Sequence, residues 1–355
     1  MKPQPFIAPV FLPHAGCPHR CVFCNQWIVS GREEGWSEPE GGLAAAREFL
    51  RFRGGRQGPS QIAFFGGNFL GLPWDRSRRL LAAASEWVHA GDLDGIRFST
   101  RPDTVDSQAL DRIGDFPVAC VELGVQSMDD DVLRQSRRGH TAADTTAAVR
   151  MLKARGYDVG LQLMVGLPGD DEGRLMETGR RIADLGPNFV RIYPTLVLTG
   201  SLLAEWHRLG RYRPLSLGEA VGLSMKLYRF LRQRGLPVIR TGLQPGADHA
   251  PGRGVVAGPN HPPFGDLVQS ACYLEALRKS LYQRHYVEKT LGLRVHPRCV
   301  SRLRGQRNAN CAALRQEFGF SDVRVAPDAG LDEDVIMLPD RGLIKVYEGL
   351  DGRAV

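Results

Sequence analysis

The chain predicts an α/β fold: a partial (β/α)6 barrel followed by a small C-terminal α+β extension. Three observations carry this reading. Strand-like apolar runs alternate with amphipathic helix-like runs from residue 5 to residue 242, which implies a parallel sheet covered by helices. About six such units are too few to close a regular eight-stranded barrel, so an open barrel fits. After Gly242 the alternation gives way to a Gly-, Pro- and His-rich stretch and then to short mixed elements. The units expected are therefore a barrel over residues 1–242 and an extension over residues 243–355, a loop across the barrel mouth plus a basic cap.

The elements follow in order. Residues 61–67, "QIAFFGG", form a short apolar run ending in glycines. "WDRSRRLLAAASEWVHAG" has helical spacing and a glycine stop at Gly91. "GIRFST" and "VACVELGV" read as strands, the second continuous and buried, with Cys120 inside it. "TAADTTAAVRMLKARG" is a helix with Thr141 as N-cap and Gly156 as its stop. "YDVGLQLMVGLPG" and "NFVRIYP" are strands on either side of the helix "DEGRLMETGRRIADLG". The long helix "SLGEAVGLSMKLYRFLRQRG" leads into the strand "LPVIR". Beyond the loop come the helix "LVQSACYLEALRKSLYQRHY", the strand-like "LGLRVHP", the helix "NANCAALRQEFG", and the strand-like "DVRVAP" and "GLIKVYEG". In parallel α/β folds the chemistry sits at the carboxyl ends of the strands, so the glycine-rich strand ends are the places for ligand contacts.

Length and composition narrow the class. The 355 residues suffice for a substantial core, and the apolar and charged fractions are those of a globular protein. The N-terminal residues carry no secretion signal, and no uncharged apolar run approaches the ~18 residues of a membrane span. The expected location is cytoplasmic, with no membrane partner. Seven cysteines, an odd number without a secretion signal, argue against a disulfide framework. Charge is uneven. Residues 276–315 hold ten Lys or Arg and one acid, Glu288, while the rest of the chain is close to neutral. Such a segment is either a solvated face or a contact for an anionic partner, nucleic acid above all.

Three of the cysteines fall within eight residues, "CPHRCVFC", as Cys17, Cys21 and Cys24 in a C-x₃-C-x₂-C pattern. A zinc site needs four ligands, and His14 or His19 is available as the fourth. An iron–sulfur cubane also takes four cysteines as a rule. With three, one iron keeps an open position for a substrate or cosubstrate. The other thiols, Cys120, Cys272, Cys299 and Cys311, are not spaced as a second cluster and read as small apolar residues. His249, His261 and Cys272 have spacing too irregular for a second metal site.

C-x₃-C-x₂-C in the loop after the first strand resembles the signature of the radical S-adenosylmethionine (radical SAM) superfamily. The resemblance implies a [4Fe–4S] cluster on Cys17, Cys21 and Cys24, with SAM chelating the fourth iron. Electron transfer into SAM, from a flavodoxin- or ferredoxin-like donor, then yields a 5′-deoxyadenosyl radical that abstracts a substrate hydrogen. The protein's part is to position these cofactors. Phe23 stands where the family has an aromatic near the adenine. Gly66 and Gly67 in "FFGGNF" match the strand end that meets the methionine amino group, where a missing Cβ allows close approach. Asn68 departs from the Glu, Thr or Ser usual there. "IRFSTRPD" places Ser99 where relatives often have Glu. "VELGVQSMDDDVLRQSRRGHT" is the longest match. It resembles the elongator catalytic subunit family and the oxygen-independent coproporphyrinogen oxidases, with Gln126 and Arg138 toward the ribose and carboxylate of SAM. Arg138 suits a carboxylate through its planar fork. "LQLMVGLPG" places Gln162 at a ribose contact and Val165 to Pro168 along the adenine. Each piece alone has a plainer reading, as a turn, a surface ion pair or a loop. Five pieces in order at strand ends carry the resemblance.

"LPHAGCPHRCVFCNQ" looks closest to the elongator catalytic subunits, which modify transfer RNA and carry an acetyltransferase domain. About a hundred residues follow the barrel and are already used by the extension, so that domain is not expected here. Residues 242–270 resemble short bacterial elongator-like proteins that lack it. For the substrate, Tyr282, His285, Tyr286 and His296 interleave the basic segment, and "RGQRNAN" is rich in donors. Charge plus stacking groups is what a looped RNA site uses. The expected function is a radical SAM enzyme acting on a transfer RNA base. The alternatives are a radical SAM oxidoreductase on a small, tetrapyrrole-like molecule, and a non-enzymatic zinc- or RNA-binding module.

Overall fold

The computed structural model describes residues 5–31, 39–54, 58–243, 254–283, 289–340 and 342–348. The expected loop residue His249 and the expected RNA-facing His285 and Tyr286 lie outside these.

β1 (Phe6–Ala15), β2 (Ser60–Gly67), β3 (Gly95–Thr100), β4 (Val118–Gln126), β5 (Asp158–Val165) and β6 (Phe189–Pro194) pair in parallel and in sequence order. β7 (Val197–Leu198) leaves this sheet, and β8 (Val238–Thr241) joins β6 as a seventh parallel strand. The curled, seven-stranded sheet is the half-barrel expected from the alternation, with one edge strand more than six units require. β7 instead pairs with β9 (Val255–Ala257) in a separate ribbon.

The helices of the barrel are α1 (Gln26–Ser30), α2 (Pro39–Leu50), α3 (Trp74–His89), α4 (Ser107–Ile113), α5 (Asp130–Gln135), α6 (Ala142–Ala154), α7 (Glu172–Leu185), α8 (Leu202–Arg208) and α9 (Leu217–Gln233). Local chemistry sets their starts. Thr141 and Asp144 close a capping box on α6, and Ser216 and Glu219 another on α9. Asp106, Asp129, Asp171 and Ser201 cap α4, α5, α7 and α8 through their side chains.

Strand alternation divides the sheet into two unlike faces. Ile62, Phe64, Ile96, Phe98, Val121, Leu123, Leu161, Leu163, Val190 and Ile192 are fully buried on the helix-covered face. The other, concave face carries Arg97, Ser99, Glu122, Gln162, Arg191, Tyr193 and Arg240. A sheet that puts its polar side chains inward is built to surround a ligand.

The extension holds α10 (Phe264–Tyr282), β10 (Thr290–Val295), α11 (Val300–Arg304), α12 (Ala309–Phe318), β11 (Asp322–Pro327), β12 (Val335–Met337) and β13 (Leu343–Lys345). Its sheet has the order β11-β10-β12-β13. α10 packs against α9 on one side and α11 on the other. One continuous apolar core therefore runs from the barrel into the extension, through Val268, Cys272, Leu277, Leu303 and Leu314.

Candidate functional site

The loop that leaves β1 carries the three cysteines. It turns at Gly16 (φ 71°), where a Cβ would lie 2.2 Å from the carbonyl oxygen of Asn68. Only glycine fits this turn. Cys21, Val22 and Phe23 are buried in a small apolar cluster with Val132 of α5, Leu167, Val197 of β7 and Leu203 of α8. The Val22 amide donates to Ser136 O at 3.1 Å, and the Leu203 amide donates to Val22 O at 2.8 Å. His19 reaches across to the turn after α5, its Nε2 2.9 Å from Arg137 O and 3.2 Å from Arg138 O. The loop is thus clamped from three directions.

Asn68, at 1 % exposed, explains its own departure from the family pattern. Its amide nitrogen donates to Gly16 O at 3.0 Å. Its Oδ1 accepts from Thr100 Oγ1 at 2.7 Å, Thr104 Oγ1 at 2.8 Å and the Arg101 amide at 3.0 Å. One side chain ties the cysteine loop and the ends of β2 and β3 together. The two glycines before it differ in kind. A Cβ on Gly67 (φ 134°) would lie 2.5 Å from Ala15 O, so Gly67 serves strand packing. A Cβ on Gly66 (φ 76°) would meet nothing nearer than 3.8 Å. There the Cβ would be in ordinary contact with Gln26 Oε1 and the Leu12 backbone, so it is the left-handed φ that favours glycine at this position.

The end of β4 is strained and under-satisfied. Gln126 adopts φ 68° at a register slip between β4 and β5, and its Oε1 is buried without a partner. A non-glycine residue in this region stores strain, and such strain clusters at functional sites. Arg138, 7 % exposed, donates from Nη1 to Cys21 Sγ at 3.1 Å and from Nη2 to Gly124 O, while its Nε finds no partner. Gln162 donates to Glu122 Oε2 at 2.9 Å and to Ser99 Oγ at 3.3 Å, so both sequence-predicted residues meet on the concave face. Val165 is fully buried on the helix-covered face, and what it offers the strand end is backbone.

The cysteines feel one another. Burial, then Cys21, pushes the Cys17 thiol up; burial, then Cys21 and Cys17, pushes the Cys24 thiol up. Arg138 opposes the shift at both, and Arg101 opposes it at Cys17. Three close cysteines beside two buried guanidiniums, which favour the thiolate form at Cys17 and Cys24, make a donor set that an iron–sulfur cluster suits. Orphaned atoms on Gln126, Arg138 and Arg101 Nη1 lie around that set. The residues fit the group. Among the described residues, no three His, Cys, Asp or Glu side chains close on a single ion. A cubane takes each thiolate on a different iron, so it makes no such demand.

Sequence reasoning missed two things here. Arg101 is 2 % exposed, bonds Asp103 through both Nε and Nη2, and faces Cys17. The signal was available as the Arg within "STRPD". Glu122 is fully buried and joins Arg97 (2.8 Å) and Arg191 (3.0 Å) to Gln162. Burial alone would raise its carboxyl, but the Arg191 and Arg97 guanidiniums outweigh that and hold it below the usual range. The buried-strand reading of "VACVELGV" placed this Glu inside the sheet, but nothing in the run names its two arginine partners.

The fold and the site define a class in which a half-barrel surrounds a cofactor held at its strand ends. Two family models match the chain. The radical SAM superfamily model covers residues 11–182, and the radical SAM C-terminal domain model covers residues 187–273. The chain belongs to the radical SAM superfamily and is an enzyme of that class, whose members imply a [4Fe–4S] cluster and SAM. It is similar to the tRNA uridine(34) acetyltransferase of Dehalococcoides mccartyi, 28 % identical over 58 % of this chain and 52 % of that protein. The enzyme of the same name from Methanocaldococcus jannaschii is 36 % identical over 34 % of this chain and 23 % of its own length. Elongator complex protein 3 of Saccharomyces cerevisiae is 28 % identical over 52 % of this chain and 39 % of that protein. The chain thus spans about half or less of the curated relatives it matches. The archaeal Methanocaldococcus infernus Elp3 structure superposes with a TM-score of 0.60 over 79 % of this chain and 64 % of that one, at 22 % identity, which shows a shared fold. No helix among the described residues is long and apolar enough to cross a membrane.

Proposed function

We propose that Cys17, Cys21 and Cys24 hold a [4Fe–4S] cluster and that SAM binds beside it. Phe23, Gly66, Gly67, Ser99, Gln126, Arg138, Gln162 and the Val165 backbone would line the SAM site. When bound, the cluster supplies the electron that cleaves SAM reductively, drawn from a flavodoxin- or ferredoxin-like donor. The chain's own residues position and shield. Arg138 holds Cys21 and keeps a guanidinium nitrogen free for a carboxylate. Gln126 offers an unfilled acceptor, and the cluster around Phe23 excludes water. The observation that carries this reading is the Arg138–Cys21 contact at 3.1 Å, beside buried polar atoms with no protein partner.

For the substrate, we propose a base of transfer RNA. The relatives named as tRNA uridine(34) acetyltransferases support it, as does the basic segment 276–315. A specific observation favours a second reading, a small-molecule substrate. Arg278, Arg294 and Arg298 are paired with Glu317, Asp328 and Glu333, acids just beyond that segment. The positive charge available to RNA is smaller than the segment alone suggests.

Anaerobic reconstitution with iron and sulfide, followed by reductant and SAM, should yield 5′-deoxyadenosine. The Cys17, Cys21, Cys24 triple Ala variant should lose both the cluster and that product. A normal cluster in the triple variant would refute the assignment. RNA binding should weaken with salt and on changing Arg302, Arg304 and Arg307. Absent or salt-independent binding would leave the small-molecule reading.

A further inference from the structure

The concave face of the sheet carries more positive charge than its acids neutralise. Ser99 on β3 pairs in register with Glu122 on β4, Gln162 on β5 with Arg191 on β6, and Arg191 with Arg240 on β8. Glu122 answers Arg97 and Arg191 together. Arg191 is fixed further by Phe65, whose ring centroid lies 5.7 Å from the guanidinium carbon. Arg240 is left over. Among the described residues its side chain has no hydrogen bond or ion pair, although it stands beside Arg191 on the adjoining strand. Two like charges side by side in a partly desolvated lumen repel strongly, and a bound anion relieves that repulsion.

Tyr193 lies two residues beyond Arg191 on the same face of β6, which makes it a diagonal neighbour of Arg240 across the β6–β8 pair and within reach of a long side chain. Tyr193 and Arg240 are both partly accessible. Arg240 also lines a cavity of about 260 Å³ at the open edge of the half-barrel, with Thr241, Asp266 and Gln269. Asp266 is the carboxylate in that lining, so a ligand with its oxyanion at Arg240 presents a hydrogen-bond donor on the other side.

We propose that Arg240 and Tyr193, braced by Arg191, bind the oxyanion of a small organic substrate or cosubstrate carrying a carboxylate or phosphate. This deepens the radical SAM reading and rests on it for the word substrate. The site lies on β6 and β8, whereas the expected SAM contacts come from the ends of β2 to β5. It therefore concerns a substrate or cosubstrate other than SAM.

The test is isothermal titration of acetate, and separately of inorganic phosphate, into the reconstituted full chain. One oxyanion should bind, and Arg240→Gln should weaken it at least tenfold. Tyr193→Phe should weaken it less, and Arg240→Lys should restore most of it. Arg234→Gln, at an exposed position paired with Asp184, serves as the surface control and should change nothing. Melting curves of each variant separate lost binding from lost folding. Comparing the acetate and phosphate arms identifies the chemistry. No binding, binding unchanged in Arg240→Gln, or binding that follows Arg302, Arg304 and Arg307 instead would overturn the proposal. Formation of 5′-deoxyadenosine is scored separately. Anion binding without SAM cleavage would refute the radical reading while leaving this site, and the reverse would refute this site alone.

Discussion

The cysteine-bearing end of the half-barrel and the basic segment of the extension are both dense in chemistry, and the fold treats them in opposite ways. At the barrel end, buried polar atoms are left without partners: Gln126 Oε1, Arg138 Nε and Arg101 Nη1. In the extension, several basic side chains are already engaged. Arg278, Arg294 and Arg298 are paired with acids, and Arg304 donates to Val325 O at 3.1 Å. Leaving a buried polar group unsatisfied costs about 1–3 kcal/mol, so a fold tolerates several together only where something else fills them. The contrast teaches that unsatisfied burial, more than charge density, marks the place where a ligand belongs.

The contrast breaks first at Arg138. Arg138→Ala removes the contacts to Cys21 and Gly124. A hydrogen bond to a charged group contributes about 1.5–3 kcal/mol, so SAM affinity should fall roughly 10- to 100-fold in equilibrium binding to the reconstituted protein. Arg138→Lys should recover part of it, since charge returns without the fork. Affinity equal to the parent's would show that the unsatisfied Nε faces no cofactor. Asn68 comes next. Asn68→Ala strands the buried Arg101 amide and Gly16 carbonyl together and should cost about 2–4 kcal/mol in denaturant unfolding. Asn68→Asp keeps the acceptor and loses the donor to Gly16, so it should fall between. A loss no larger than that of an exposed Asn would mean the three strand ends hold together without it.

Much of the barrel was legible because its signals are local. Alternating runs, capping residues such as Thr141 and glycine stops such as Gly91 and Gly156 need no tertiary context. The cysteines, Gly66, Gln126 and Arg138 were legible through motif order. What stayed hidden depends on register. Glu122, Arg191 and Arg240 are far apart in sequence and meet only because parallel strands place them on one face. The use of Asn68 was hidden for the same reason, since its partners come from two other strand ends. The short β12 and the helices α2 and α8 carry too few periodic residues to stand out. The basic segment misled in the opposite direction, because the acids that pair with it lie at residues 317, 328 and 333, outside the window that looked basic.

A smaller effect sharpens the barrel-end half of the comparison. Asp170 follows the "GLPG" turn at the end of β5, and burial raises its carboxyl to about 7. A carboxyl whose folded value lies above its unfolded value of about 3.9 destabilises the fold as pH rises between the two. The penalty is absent below pH ~4 and complete above pH ~7. Asp170→Asn should therefore raise Tm at pH 8 and change it little at pH 4. Equal shifts at both pH values would show that Asp170 is not held protonated by this strand end.

The smallest effect tests the extension. Arg278 and Glu317 are only partly covered, and pairs of that kind couple by about 0–1 kcal/mol. A double-mutant cycle with Arg278→Gln and Glu317→Gln should return a coupling within that range. The informative part is what Glu317→Gln does to RNA binding. If the pair merely decorates the cap, freeing Arg278 should leave RNA affinity and its salt slope unchanged. If Glu317 restrains a guanidinium that contacts phosphate, affinity should rise, and log K should fall more steeply with log salt by about one unit. That steeper slope would move the extension from a neutralised cap to a contact surface and remove half of the contrast with the cysteine-bearing end.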